Sequence, residues 1–158
     1  MDSFTESRPV IPRMLSALLA AVFTSTAVFM IVMKYIFGSD IPEWSIAAVA
    51  AVFALISAAC FLIRFEVAVT EDDIRIRYIL MRITIPFDTV IDKKTGDMTA
   101  IRNYGSWNLK GVKHKTYSAV GEESGVALKL TGKRVIVISS GDPGKLFSLI
   151  PTIKEAGE

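Results

Sequence analysis

Two long apolar runs occupy the first part of the chain, and an alternating pattern of apolar and polar residues follows them. Residues 14–33 and 44–63 each contain twenty residues without a charged side chain. At about 1.5 Å of rise per helical residue, such a run crosses a hydrocarbon core about 30 Å thick. We therefore predict two transmembrane helices, over about 14–37 and 44–63, that together form a helical hairpin.

The charges beside these runs predict their orientation. The link from Gly38 to Trp44 is too short for a domain and predicts a tight turn at one membrane face. Lys34 is the one basic residue near this turn, whereas the opposite ends of the spans are flanked by Arg8, Arg13, Arg64, Arg75 and Arg77. Because basic residues favour the cytoplasmic side, the pattern predicts a multi-pass protein of the cell (plasma) membrane with both termini in the cytoplasm.

Composition divides the chain into three regions. Residues 1–13 hold two prolines and too little apolar surface to fold alone, which predicts a polar N-terminal tail. Residues 14–63 form the hairpin and carry most of the apolar excess behind the mean hydropathy of +0.44. Residues 64–158 carry 15 basic and 12 acidic residues, and they are enough to bury one compact core. We predict that this last region folds as a single cytoplasmic domain.

After Arg64 the apolar residues alternate with polar ones, as they do in strands with one buried face. The sequence from Phe65 to Val90 contains three such stretches separated by turn residues, and it predicts an antiparallel meander. Three arginines fall on the polar side of the alternation: Arg75, Arg77 and Arg82. For these arginines we favour a solvated sheet face over a dedicated anion site.

The second half of this region is less regular. Residues 92–115 interrupt every periodicity, although 98–102 could form a short strand. Three further strands are predicted over 116–120, 126–130 and 134–139.

The chain ends in a predicted helix. Asp142 can cap the free backbone N–H groups of its first turn, and Pro143 suits the first helical position. The apolar face, which we expect to close the open end of the sheet, consists of Leu146, Leu149, Ile150 and Ile153. Pro151 should stop or kink this helix. The predicted fold class is a membrane α-helical hairpin joined to a mainly-β (α+β) domain with one C-terminal capping helix.

From Phe65 to its end the chain resembles the bacterial pleckstrin-homology-like (PH-like) domains found in small membrane proteins. The stretches that carry the resemblance are VTEDDIRIRY, IPFDTV and GVALKLTGKRVIVISSGDPGKLFSLI. The matching positions are Pro86, Phe87, Asp88, Val90, Gly125, Val126, Leu128, Leu130, Gly132, Val135, Val137, Asp142, Pro143 and Leu146. The resemblance implies an antiparallel β-barrel or sandwich that acts as a binding or scaffolding module. Pro151 departs from the family, in which the last helix is usually continuous.

The segment from Asp92 to Tyr117 combines basic and aromatic residues close to the predicted membrane surface. Its candidate lipid-binding residues are Lys93, Lys94, Arg102, Trp107, Lys110, Lys113 and Lys115. Each basic residue near an anionic leaflet adds about 1 kcal/mol of attraction, which falls off within a Debye length of about 8 Å. The alternative interpretation is a solvated loop whose Trp107 packs on the β domain.

The sequence offers little material for catalysis. His114 is the one histidine, and no nucleophile-elbow glycines surround Ser106 or Ser118. The one cysteine, Cys60, lies in the second span, where we interpret it as a small packing residue, with palmitoylation as the alternative. We expect no enzymatic activity, no cofactor and no metal site.

Membrane lipids with anionic headgroups are the predicted partners. The alternative is a protein–protein interaction or scaffold platform that captures a partner peptide by strand addition. Rows of small residues on both spans allow close helix packing, either within the hairpin or in a homo-oligomer. The net charge of +3 over residues 64–158, from 15 basic and 12 acidic residues, is low for a nucleic-acid-binding domain. We therefore expect no nucleic-acid partner.

Overall fold

The computed structural model describes residues 4–101, 107 and 111–153. The chain divides into two units, which we call the helical unit (residues 11–63) and the β domain (residues 1–10 and 64–158). The β domain is thus assembled from two pieces of chain that flank the helical unit in sequence.

The helical unit contains α1 (Arg13–Tyr35) and α2 (Glu43–Leu62). Both helices are long and apolar enough to cross a membrane, with hydropathies of 2.2 and 2.5 over their most apolar stretches. Only 6% of the residues in each of these stretches are buried, whereas a core helix of a soluble protein would bury most of them. The two helices lie where the sequence predicts them, to within two residues at each end.

The two helices pack against each other through aromatic and small side chains. The rings of Phe23 and Phe53 stack with their centroids 4.5 Å apart. Ser16 donates a hydrogen bond of 3.4 Å to the carbonyl oxygen of Cys60, and both residues are buried. This burial supports the interpretation of Cys60 as a packing residue. Gly38, with a φ of 65°, lies just past the end of α1, as expected of a glycine that terminates a helix.

The first sheet of the β domain, sheet A, is a four-stranded antiparallel sheet. Its strands are β1 (Phe4–Pro9), β2 (Arg64–Val69), β3 (Asp73–Tyr78) and β4 (Met81–Pro86), in that order across the sheet. The buried face comprises Phe4, Phe65, Val67, Val69, Ile74, Ile76 and Ile85. The predicted meander is therefore confirmed, and its alternating apolar residues form the core.

Strand β1 is a difference from the sequence-based expectation of a polar tail over 1–13. It pairs with β2 along its whole length, from Phe4 opposite Val69 to Pro9 opposite Arg64. Proline is tolerated there because it ends an edge strand, where its missing N–H breaks no ladder. The local sequence cannot reveal this strand, because its partner lies more than fifty residues away and supplies the apolar contacts that the tail lacks.

The second sheet, sheet B, has the strand order β5-β7-β8-β6. A 3-10 turn (Phe87–Thr89) leads from β4 into β5 (Val90–Asp97), and the other strands are β6 (Lys113–Tyr117), β7 (Ser124–Leu130) and β8 (Arg134–Ser139). The pair β6–β8 is parallel and the other pairs are antiparallel. The expected antiparallel barrel is thus corrected to two separate four-stranded sheets that do not close.

Most of the predicted positions in this sheet hold. The strands predicted over 126–130 and 134–139 correspond to β7 and β8, while β6 begins three residues before the predicted 116–120. The short strand predicted over 98–102 is wrong, because α3 (Met98–Ile101) is a single helical turn. The Asp97 carboxylate, which accepts a hydrogen bond of 2.6 Å from the Thr99 N–H, favours that turn over a strand.

The C-terminal helix α4 (Pro143–Leu149) begins and ends as predicted. Asp142 accepts a hydrogen bond of 3.0 Å from the Lys145 N–H, and the helix stops two residues before Pro151. Leu146 and Ile150 are fully buried against the β domain, and α4 contacts β5, β7 and β1. Ile153 is 44% exposed, so the predicted apolar face is buried only in part.

Candidate functional site

Two of the predicted lipid-binding lysines are engaged within the β domain. Lys93 donates a hydrogen bond of 2.7 Å to the carbonyl oxygen of Ile150, and its ammonium group lies 4.5 Å from the ring centroid of Phe147. The ammonium group of Lys94 lies 4.6 Å from the ring centroid of Trp107. Both lysines are half-buried, and these contacts hold their charges against aromatic faces. The two lysines therefore connect β5 of sheet B to the α4 region and to Trp107.

Trp107 packs on sheet B, as the alternative interpretation predicted. It is 7% exposed and belongs to a cluster that covers one face of this sheet: Met98, Ile101, Trp107, Ala127, Val135 and Val137. Its indole N–H donates a hydrogen bond of 2.8 Å to Asp92. Trp107 is consequently a structural residue that covers the sheet, with its polar atom satisfied.

The remaining predicted residues fall into two groups. Arg102 and Lys110 lie outside the described residues. Lys113 and Lys115 are exposed on β6, together with His114. Because β6 stands at one edge of sheet B, these lysines form an accessible basic strip.

The ring of Tyr117 connects β6 to sheet A. Tyr117, at the end of β6, contacts the ring of Tyr78 edge-on, with centroids 5.7 Å apart. Lys115 and Lys113 lie two and four residues earlier on the same strand, which is about 7 Å and about 13 Å at strand spacing. The Tyr78 contact therefore lies at one end of the basic strip.

The outer face of sheet A carries a second basic group. Arg77 on β3 lies directly opposite Arg82 on β4, and both are exposed. Arg77 has one acidic neighbour, Glu66, at 3.6 Å, whereas Arg82 forms no ion pair with any described residue. Like charges directly opposite each other on a sheet are unfavourable. Sheet A thus holds two neighbouring guanidinium groups, of which only Arg77 is paired with an acid among the described residues.

The turn between these arginines exposes apolar side chains. Ile79 is 45% exposed, Leu80 95% and Met81 63%, and we call these three residues the hairpin tip. Ile79 has a φ of 56°, a conformation that costs a β-branched residue free energy and that glycine or asparagine normally adopts. The tip is therefore unusual both in its exposed apolar surface and in its backbone.

The hairpin tip lies at the end of sheet A where the chain passes to and from the helical unit. The strand register places Pro9 opposite Arg64, Phe65 opposite Tyr78, and Tyr78 opposite Met81. We call this the junction end of sheet A. Three residues separate β1 from α1, and one residue separates α2 from β2.

The described residues give little support for chemistry at this end or elsewhere. Among them, no group of three or more histidine, cysteine, aspartate or glutamate side chains could hold a metal ion. Burial raises the pKa of the Tyr117 phenol above its ordinary value of 10.0. The junction end combines two exposed arginines with an exposed apolar turn.

Sequence reasoning named Arg77 and Arg82 but favoured a solvated face for them over an anion site, and it treated the hairpin tip only as a turn. The available signal was the run from Tyr78 to Met81, four nonpolar residues that break the alternation between Arg77 and Arg82. A two-residue turn without glycine, asparagine or aspartate is atypical of hairpins.

No protein-family model, curated protein or solved structure matches the chain. The fold itself defines the class. The chain is an α+β protein with two helices long and apolar enough to span a membrane, and with a two-sheet domain formed by the chain segments that precede and follow these helices.

Proposed function

We propose that the chain is a non-enzymatic integral membrane protein that presents its β domain at the cytoplasmic membrane surface and binds anionic lipid headgroups there. The observation that carries this proposal is the placement of Arg77 opposite Arg82 at the junction end of sheet A. An anionic headgroup between two guanidinium groups offsets their mutual repulsion and accepts hydrogen bonds from both. The membrane-spanning hairpin supplies the lipid surface.

The size of the expected attraction supports binding by a tethered domain. Near an anionic leaflet each arginine contributes about 1 kcal/mol, which alone gives weak binding. The short chain connections, residues 10–12 and residue 63, keep the β domain close to its own membrane, so the effective lipid concentration is high. A few basic residues are then enough to bind the domain to anionic lipid.

The strand-rich domain with a C-terminal helix also supports the resemblance to PH-like domains, which we propose as its fold family. In this interpretation the two N-terminal spans and the domain form one functional unit. The separate sheets and the parallel pair β6–β8 are features that any assignment to that family has to accommodate.

Native mass spectrometry of the full-length protein, released from nanodiscs that contain anionic and zwitterionic lipids, tests the proposal. In the double variant Arg77→Gln/Arg82→Gln we expect retention of anionic lipid to fall by roughly tenfold or more, from the loss of two such contributions. The variant Lys113→Gln/Lys115→Gln removes the same charge from the strip predicted by sequence. Lys145→Gln is the single-charge control, since Lys145 is exposed in α4, away from both groups.

Three outcomes separate the possibilities. A loss confined to the arginine variant supports binding at the junction end. A loss confined to the Lys113 and Lys115 variant keeps the headgroup function but moves the site to β6. Equal retention by all three variants and the unmodified protein rules out headgroup binding at either place.

A protein partner is the second candidate function, because β6 is an edge strand of sheet B with accessible basic residues. An extended acidic peptide could add to this edge through main-chain hydrogen bonds and pair with Lys113 and Lys115. Co-purification of one partner that survives high salt, and is lost when proline replaces Thr116, would favour this function over lipid binding.

A further inference from the structure

We propose that the hairpin tip, Ile79 to Met81, inserts into the interfacial layer of the membrane that the two helices span. This insertion rests on the proposed function only in requiring the chain to be a membrane protein. It does not require a specific headgroup, because the tip would be held by its apolar surface rather than by charge.

The exposure of the tip is the first observation. Leu80, in the two-residue turn, is 95% exposed and Met81, the first residue of β4, is 63% exposed. The neighbouring strands bury Ile74, Ile76 and Ile85 in the core. The β domain thus has ample core for its apolar residues, yet leaves these outside it. Adjacent exposed leucine, isoleucine and methionine side chains indicate a surface that another apolar phase covers.

The backbone at Ile79 is the second observation. A φ of 56° is unfavourable for a β-branched side chain, and glycine or asparagine would adopt it at little cost. The sequence keeps isoleucine where the turn geometry disfavours it. A role for the side chain outside the fold accounts for this choice, because Ile79 is 45% exposed.

The position of the tip selects the partner. Both chain connections to the helices leave from the junction end of sheet A, through Pro9 and Arg64, and the tip lies at that same end. Arg77 and Arg82 flank the tip directly, as basic residues flank apolar segments at a membrane interface. A lipid surface therefore meets the tip and both arginines together.

A second copy of the chain fits this surface poorly. Three residues offer far less area than a stable protein interface requires. Two copies joined through their tips would also bring four arginines together. Lipid, by contrast, covers the apolar tip and places phosphates beside the arginines.

Spin-label accessibility in the full-length protein tests the insertion. The label is attached at Leu80→Cys in a Cys60→Ser background, and the control label at Asp72→Cys in the same background. Asp72 is exposed in the β2–β3 turn at the opposite end of sheet A. Both proteins are placed in nanodiscs of phosphatidylcholine alone and of phosphatidylcholine with an anionic lipid. Collision with oxygen reports lipid, and collision with a water-soluble nickel chelate reports solvent.

We expect the label at position 80 to collide more with oxygen and less with the nickel chelate than the label at position 72. Insertion in phosphatidylcholine alone supports the inference even if the arginine variants retain anionic lipid normally, so the two proposals fail separately. Insertion only with anionic lipid would contradict it, because the tip would then be held by charge and not by its apolar surface. A label at position 80 that is as accessible to the chelate as position 72, or shielded from both reagents, overturns it.

Discussion

Gly125 shows how a single position can be fixed by a close contact between elements. A Cβ at this position would collide with the carbonyl oxygen of Ile138 and come within 2.8 Å of the sulfur of Met98. The resemblance to PH-like domains includes this glycine but gives no physical reason for it. The reason lies first in the close approach of the β8 backbone at Ile138 and second in Met98 of α3, a helical turn that the pattern of residues 98–102 did not predict.

We therefore predict that Gly125→Ala destabilises the β domain by about 1–3 kcal/mol, the usual cost of overpacking a buried site. Thermal unfolding of the full-length protein in detergent measures the change. Gly144→Ala is the matched control, because a Cβ there meets its nearest atom at 3.8 Å and the residue lies in α4. Equal stability of the two variants would contradict this account of Gly125.

Asp73 illustrates a charge that is set by its immediate neighbours. The Thr70 hydroxyl donates a hydrogen bond of 2.7 Å to its carboxylate, and Arg75 donates another of 3.0 Å. Led by the Thr70 hydrogen bond, these contacts lower the pKa of Asp73 below its ordinary value of 3.8. The ionised carboxylate therefore stabilises the β2–β3 turn above pH 3.8, and this contribution is lost as the pH falls through the lower folded pKa.

Carboxyl carbon NMR of the full-length protein should thus give Asp73 a pKa below 3.8. In Thr70→Val we expect this pKa to rise, since the largest cause of its lowering is removed. Thr5→Val, on β1 of the same sheet and opposite Ala68, should leave it unchanged. An Asp73 pKa that does not respond to Thr70→Val would show that another group sets it.

At the scale of elements, β1 is the clearest case of structure that the local sequence hides. Glu6 accepts hydrogen bonds from the Ser140 hydroxyl at 2.6 Å and the Gly141 N–H at 3.0 Å. Arg8 forms ion pairs with Glu6 and with Glu122. These polar residues, which suggested a solvated tail, instead tie the strand to the loops of sheet B.

We predict that Glu6→Ala destabilises the β domain by about 1–3 kcal/mol, because it leaves the Ser140 hydroxyl and the Gly141 N–H without their acceptor and removes one of the two acids paired with Arg8. Glu71→Ala, at an exposed turn, should change stability little. Thermal unfolding of the full-length protein measures both. A Glu6 variant as stable as the Glu71 variant would show that β1 contributes little to the fold.

Elements whose signals are local were predicted well. The alternation in β2, β3, β7 and β8 and the Asp142–Pro143 start of α4 are properties of neighbouring residues, and the structure confirms them. The parallel pairing of β6 and the burial of Trp107 both depend on contacts between distant segments. The sequence could therefore place the basic segment but could not show which of its lysines are held within the domain.

At the scale of the whole molecule, the β domain is connected to the helical unit by two short segments rather than one. The isolated region 64–158 would lack β1 and leave the edge of β2 uncovered. Experiments on lipid binding consequently need the full-length chain. The two connections also mean that both ends of the helical hairpin leave from the junction end of sheet A.

Hydrogen–deuterium exchange of the full-length protein in nanodiscs, with and without anionic lipid, tests the central claim most directly. The claim is that the junction end of sheet A meets anionic headgroups. We predict that anionic lipid slows amide exchange over residues 79–84 in the unmodified protein but not in Arg77→Gln/Arg82→Gln. The β2–β3 turn at the opposite end should be unaffected. Slowing over residues 113–117 instead, or no slowing anywhere in the β domain, would contradict the claim.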